Sequence, residues 1–377
     1  ISIVPKEVIQ DRALVRLNDI APYVAGVNEF SVYNDITIRG FRSSDDRRVN
    51  GLRTYNNFWS QDLIAHVERV EVIKGPAAAT FGDASPGGVI NIVTAKPSLD
   101  GYSGSVSGTV GEYNQVIGKA EVNGPLSDTV AWGLAANFNQ RDGYFDNLET
   151  GNTFNELNRY GLRGQLLWQP SDTFEARVIA DYDEIDEVCC GVANLAVSED
   201  AALATGYIGA DIVAEDPYAY SQNYNFDATN EIENSGVSLQ LDWDLNDLVT
   251  LTSITALRKL ERFDNSDSDF FGGELISEAA GNLTDTELDT FTQELRLSGS
   301  TNNVDWLVGA FYFDEDVDQR SSVGFGDDIR PYFDALTLLA ALPPGSSLAD
   351  KQQALGALGA GLIQSPLTQI EAALAAA

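Results

Sequence analysis

From Gly101 onward the chain alternates between apolar and polar positions with a period of two. In TVAWGLAANFNQ (129–140), Val130, Trp132, Leu134, Ala136 and Phe138 share one face, while Ala131, Gly133, Ala135, Asn137 and Asn139 share the other. TFEARVIADY (173–182) sets Phe174, Ala176, Val178, Ala180 and Tyr182 against Glu175, Arg177, Ile179 and Asp181. GVSLQLDWD (236–244) and RYGLRGQLLW (159–168) repeat the pattern. Successive side chains of a strand point to opposite sides, so this period predicts strands with one apolar face. About nine such strands are expected, starting near residues 101, 115, 129, 158, 173, 232, 248, 289 and 303.

Residues 1–97 are patterned differently. VPKEVIQDR predicts a strand end running into a short helix with Pro5 at its start, and a second helix is expected over Leu14 to Ile20. DITIRGF (35–41), VERVEVIKG (67–75) and GGVINIVTA (87–95) read as strands. Gly75-Pro76 and Pro86-Gly87-Gly88 punctuate them as turns. The expected organisation is a mixed α/β unit over 1–97 and an all-β unit over 98–377.

Alternation alone fits a soluble sandwich as well as a membrane barrel. The rhythm of the links separates them. PLSD (125–128), PSD (170–172), LND (245–247) and STNN (300–303) are short, whereas the links at about 142–157, 185–231 and 263–288, and everything after Asp314, are long. The link near Glu112 is a short exception. Short turns on one rim and long loops on the other are the pattern of an outer-membrane barrel. Trp132, Trp168, Trp243 and Trp306 each lie close to a short turn on the apolar phase, as an interfacial girdle requires. The alternative is tryptophan buried in a soluble core. No stretch approaches the ~20 apolar residues of a membrane helix.

Composition narrows the function. With 57 acidic and 23 basic residues the formal charge is −34, which disfavours nucleic-acid binding. One histidine and two cysteines do not suffice for a His/Cys zinc centre, and no metal or cofactor is expected. ISIVPKEVIQ has neither the basic start nor the apolar run of a signal peptide, and the chain has no Met. An open sheet in lipid leaves unpaired edges, and the Ala/Leu-rich end reads as helical loop material. The expectation is therefore a fragment, shortened at both ends.

DLIAHVERVEVIKGPAAATFGDASPGGVINIVTAKP (62–97) and the Arg39-Gly40 element of DITIRGF resemble the plug of TonB-dependent receptors. FTQELRLSG (291–299) followed by DWLVGAFYF (305–313) is similar to the barrel of the same family. Asn50-Gly51 stands where the family usually has Asp-Gly. The resemblance covers the chain to about residue 315. It implies an N-terminally truncated α/β plug (1–97) and the first part of a transmembrane β-barrel (98–377), in the outer membrane of a Gram-negative bacterium. It implies active transport rather than catalysis, with a ferric siderophore as the expected ligand. It also implies the lipid bilayer as surroundings and TonB as partner, through a segment missing here. A receptor for a glycan, vitamin or aromatic compound is the alternative, and a soluble all-β hydrolase a remote one.

Arg42, Arg47 and Arg48, in FRSSDDRRVNG (41–51), are candidates for the anionic oxygens of a ferric chelate; the competing reading is a solvated loop neutralised by Asp45 and Asp46. Tyr55, Phe58 and Trp59 are candidates for planar chelators, with packing inside the plug as the alternative. Arg39, Gly40, Gly75, Pro76, Gly87 and Gly88 read as structural turns. Arg39, Glu68, Glu71 and Lys74 are candidates for charged contacts between plug and barrel. Cys189 and Cys190 are placed for a vicinal disulfide. DNSDSD (264–269) and DEDVD (314–318) offer hard oxygens for Ca2+, but solvated loops are the preferred reading. His66 reads as a surface or packing residue at a strand edge.

Overall fold

The computed structural model describes residues 1–29, 36–43, 47–53, 66–77, 86–212, 216, 218–278, 282–301 and 303–375. The N-terminal part holds two small sheets. One has the order β1 (Ser2–Pro5), β7 (Val67–Lys74), β8 (Gly88–Thr94), β5 (Arg47–Val49), β6 (Leu52–Arg53); the other joins β2 (Val27–Glu29), β3 (Ile36–Ile38) and β4 (Phe41–Arg42). A helix spans Lys6–Asp11. The second expected helix is a 3-10 helix shifted to Leu17–Tyr23, carrying Pro22 inside it. Proline lacks a backbone donor, so an α-helical hydrogen-bond ladder cannot continue through it.

Aliphatic side chains from all these elements form one core: Ile9, Leu17 and Ile20 pack with Ile36, Ile38, Val70, Val72, Ile90 and Ile92. Each such burial is worth about 1.5–3 kcal/mol. β8 lies centrally, antiparallel to β7 and parallel to β5. Its near-continuous burial explains why GVINIVT lacks clean alternation.

Among the described residues the large sheet has nine antiparallel strands, as many as the alternation predicts. Two hairpin-linked strands come first, β9 (Ser103–Val110) and β10 (Val116–Ser127), then β11 (Val130–Arg141). The next link holds β12 (Phe145–Asn147) and β13 (Thr153–Phe154), before β14 (Leu157–Ser171) and β15 (Phe174–Val188). A helix (Glu199–Ile208) and β16 (Ser221–Gln222) precede β17 (Thr229–Asn246), β18 (Val249–Ser266), β19 (Asn282–Ser300) and β20 (Asp305–Val323). Each strand pairs with its sequence neighbour, leaving β9 and β20 as the edges of an open, partial barrel wall.

The strands run further than alternation predicts at the long-loop rim. β17 begins at Thr229, β18 continues to Ser266, β19 begins at Asn282 and β20 extends to Val323. Polar residues on both phases there erase the pattern, but ladder pairing continues, as in Asp285↔Arg320 and Thr286↔Gln319. DEDVD (314–318) is therefore part of β20 rather than a loop. Beyond it, helices span Ile329–Ala341, Leu348–Gly359 and Pro366–Ala375.

Candidate functional site: the plug contact and the long-loop rim

The apolar phase of the large sheet points away from the plug. Leu134 and Phe138, Tyr160, Leu162 and Leu166, and Val237 and Trp243 are exposed. On the opposite phase Ala131, Ala135, Asn137, Asn139, Arg163, Gln165 and Arg177 are buried. A soluble sandwich would bury the apolar phase; a barrel in lipid exposes it and keeps its polar phase inside. Near the short turns, the Trp168 and Phe174 rings meet edge-on at 5.7 Å and those of Phe174 and Trp243 at 6.4 Å. This is an aromatic row on the outward face, where an interfacial girdle belongs.

The polar phase grips the plug just after β8. Arg177 Nη2 donates to Thr94 Oγ1 at 2.7 Å, to the Thr94 carbonyl at 3.2 Å and to the Ala95 carbonyl at 3.1 Å. Arg177 Nε donates to Gln165 at 3.0 Å, and Gln165 donates to the Ala95 carbonyl at 3.3 Å. Thr94 is also held from within the plug: its backbone N–H donates to Asn50 Oδ1 at 2.9 Å. Asn50 and Gly51 have φ of +52° and +83°, the pair of left-handed residues a tight hairpin between β5 and β6 requires. Lys96 is paired with Glu175 of β15.

A second charged contact joins plug and wall at β10. Glu121 accepts from Lys6 Nζ at 2.9 Å and lies 3.3 Å from His66 Nδ1. His66 is buried, with a φ of +76°, so it is a plug–wall contact and not a surface residue. Burial pushes its imidazole below the usual range, and the Glu121 charge opposes the shift.

The charged residues singled out for this role act elsewhere. Lys74 Nζ donates to the Ala25 carbonyl at 2.6 Å. Glu71 accepts from Asn91 at 3.0 Å and from Arg69 at 2.8 Å, and Glu68 accepts from Arg69 at 2.7 Å. Arg39 is exposed in the β3–β4 turn. All of these contacts lie within the plug. Lys6, His66 and Lys96 make the contacts with the wall instead, which no local sequence signal announces.

Arg47 and Arg48 do not lie in a loop. They occupy β5 beside β8 and are buried, Arg47 donating to Asn18 at 3.4 Å. Arg42 ends β4 and is exposed. Tyr55, Phe58 and Trp59, like Asp45 and Asp46, lie outside the described residues. The turn glycines have geometric roles. Gly40 and Gly75 have φ of +85° and +99°, with Pro76 following Gly75. At Gly88, φ is +133° and a Cβ would run into the Ile73 carbonyl; at Gly87 it would meet Ser43.

A cavity of about 690 Å3 lies between the plug and the β17–β20 wall, lined among others by Arg53, Arg69, Glu71, Glu294, Arg296 and Phe311.

The long-loop rim is folded. β13, β12 and β16 form a three-stranded sheet over a core of Phe145, Phe154 and Tyr224. Cys189 and Cys190 are joined as a vicinal disulfide beside it. Asp267 accepts from the Asn225 N–H at 3.1 Å, and Asp269 from the Ile276 N–H at 3.0 Å. Ile276 bridges to Phe325, so three links meet here. Burial, then the neighbouring Asp269 charge, push the Asp267 carboxyl up to about 9. Asp264 lies in β18, paired with Arg262 at 2.5 Å. Among the described residues no group of three or more His, Cys, Asp or Glu is placed to hold a metal ion.

A polar-lined barrel wall with an α/β unit packed against its inner face defines a class: outer-membrane barrels with an internal plug. Residues 1–89 match the TonB-dependent Receptor Plug Domain family. The ferrioxamine receptor of Yersinia enterocolitica is 26% identical over 183 residues, covering 46% of this chain and 25% of that receptor. The iron-regulated outer membrane virulence protein of Vibrio cholerae is 32% identical over 164 residues, 38% of this chain and 25% of that protein. The crystal structure of the ferric yersiniabactin uptake receptor from Yersinia pestis superimposes with a TM-score of 0.71 at 18% identity, over 86% of this chain and 49% of that one. The ferripyoverdine receptor of Pseudomonas aeruginosa gives 0.70 at 16% identity, over 85% and 43%. The chain thus spans about a quarter of the curated relatives it matches and about half of the solved structures. It is similar to TonB-dependent siderophore receptors, with a plug domain packed against part of a receptor-type barrel wall. The relatives are receptors for uptake, not enzymes.

Proposed function

We propose that this chain is the plug and nine-stranded wall of an outer-membrane receptor that takes up ferric siderophores in a TonB-dependent manner. The observation that carries the reading is the inverted burial of the sheet, apolar phase outward and polar phase clamped on the plug through Arg177 and Thr94. The named relatives support the ligand class: a ferrioxamine receptor, an iron-regulated outer-membrane protein and a ferric yersiniabactin uptake receptor. On this reading the long-loop rim is extracellular and the short turns are periplasmic. Energy reaches the plug from TonB through an added strand. The plug then shifts against the Arg177 and Glu121 contacts to let the chelate pass. Arg42, Arg47, Arg48, Tyr55, Phe58 and Trp59 remain the proposed plug-side ligand residues, with Arg47 and Arg48 acting from beneath the surface by charge.

The test is the abundance of the receptor in outer-membrane fractions with and without an iron chelator, followed by uptake of radiolabelled ferric chelates with and without TonB. Induction by chelation and TonB-dependent uptake are expected. Unchanged abundance and no iron uptake would move the reading to another nutrient.

A further inference from the structure

The links of the long-loop rim are strongly acidic. The links 111–115, 142–156, 189–228, 267–281 and 324–377 contain twenty Asp and Glu but only two basic residues, Arg330 and Lys351. Both bases are already matched: Arg330 with Asp334 and Glu371, Lys351 with Glu199 and Asp200. A mouth of this kind repels polyanions and draws cations from a distance.

Within this rim three tyrosines from three links gather. Tyr144 lies 5.9 Å from Tyr113 and 6.0 Å from Tyr220, and the rings of Tyr113 and Tyr220 are half exposed. The Arg141 guanidinium, at the end of β11, already sits 5.1 Å from the Tyr144 ring centre. Two exposed aspartates adjoin the group through their backbones, and the Asp142 carboxylate accepts from Asn114 Nδ2 at 2.7 Å. The Asp142 N–H donates to the Tyr113 carbonyl at 2.9 Å and the Asp146 N–H to the Tyr220 carbonyl at 2.8 Å. Around β12, Asp142, Tyr144 and Asp146 alternate with the buried Gly143, Phe145 and Asn147. One face therefore presents a ring between two carboxylates, and the other closes the loop core.

Electron-rich ring faces beside carboxylates bind ammonium groups. Resting on the receptor reading above, we infer that Tyr113, Tyr144 and Tyr220, with Asp142 and Asp146, form an outer capture site for iron chelates that carry positive charge on a free ammonium group. The site admits the chelate by its cationic tail before the chelate reaches the plug.

The probe pair is the ferric complex of a linear trihydroxamate with a free terminal amine and the same complex N-acetylated, with a ferric triscatecholate as the polyanion. Binding is measured on the receptor in outer membranes. The amine form is expected to bind more tightly than the acetylated form by on the order of tenfold at low salt, the gap closing at high salt. Joint D142N/D146N substitution, or Tyr144→Leu, erases the gap, while Tyr144→Phe keeps it. Equal binding of the two trihydroxamates to the unmodified receptor, or tightest binding of the triscatecholate, overturns the inference and leaves the receptor reading intact. A gap that survives in both D142N/D146N and Tyr144→Leu also overturns it. If no ferric chelate binds or enters, the receptor reading fails too. Should Tyr144→Leu not reach the membrane, the unmodified receptor and Tyr144→Phe still decide.

Discussion

Arg177 of the barrel wall and Thr94 at the end of the central plug strand are joined side chain to side chain at 2.7 Å, and the same guanidinium nitrogen reaches the Thr94 and Ala95 carbonyls. This is a buried, charge-assisted contact, the type whose loss costs most. Arg177→Gln is expected to destabilise the plug against the wall by roughly 2 kcal/mol. The check is the urea midpoint of the purified receptor, which should fall for Arg177→Gln. An unchanged midpoint would mean the contact is dispensable.

Gly88 is the backbone counterpart of that clamp, at the opposite end of β8. Its φ of +133° is one that side chains rarely adopt, and a Cβ would strike the Ile73 carbonyl. Gly88→Ala is expected to cost roughly 1–3 kcal/mol from backbone strain alone, with the clash added. The receptor should then show reduced abundance in the outer membrane and a lower thermal midpoint. Wild-type values for both would refute the steric argument.

The outward phase carries its own prediction. Leu162 is exposed on β14, well along the strand from the girdle residue Trp168 and short of the long-loop rim. A charged side chain facing lipid near mid-membrane costs roughly 2–4 kcal/mol, so Leu162→Arg should lower folding stability in lipid vesicles by that amount. In a soluble protein an exposed Leu→Arg change would be nearly neutral, and a neutral result would argue against a lipid-facing strand.

Asp267 links pH to the rim. Folded, burial and the neighbouring Asp269 carboxyl hold its proton well above the usual carboxylate range. Unfolded, an aspartate loses it near 4. The folded junction therefore holds the extra proton between the unfolded and folded values. Its stability is full at the acid end and is lost as pH rises through the folded value. Hydrogen-exchange protection at Phe271 and Ile276, which donate to Asp269, is expected to fall between about pH 5 and about pH 8 after correction for intrinsic rates. Asp267→Asn should flatten that dependence. Protection that rises with pH would reverse the sign and remove the account of a protonated Asp267.

Much of the architecture was legible because strand alternation is a local property. The apolar phase containing Val130, Trp132 and Leu134 marks one side of a strand without reference to any distant residue. Link lengths then assigned the two rims, and the VERVEVIKGP and PGGVINIVT stretches marked the two long plug strands. Legibility failed where both phases are polar, at the rim ends of β17 to β20, because ladder hydrogen bonds hold those residues without an apolar signature. It failed again at Arg47 and Arg48, since a basic pair among polar residues looks like a loop whether or not a parallel neighbour covers it.

The sequence by itself determined the strand period, the number of long strands, the outward side of each and the acidity of the rim, all properties of neighbouring positions. Only the tertiary structure decided that Arg177 meets Thr94 across 83 residues and that Lys6 and His66 meet Glu121. It alone brought Tyr113, Tyr144 and Tyr220 together. Those pairings depend on how the plug is seated and how the links fold over one another, and no local pattern encodes a contact between distant segments.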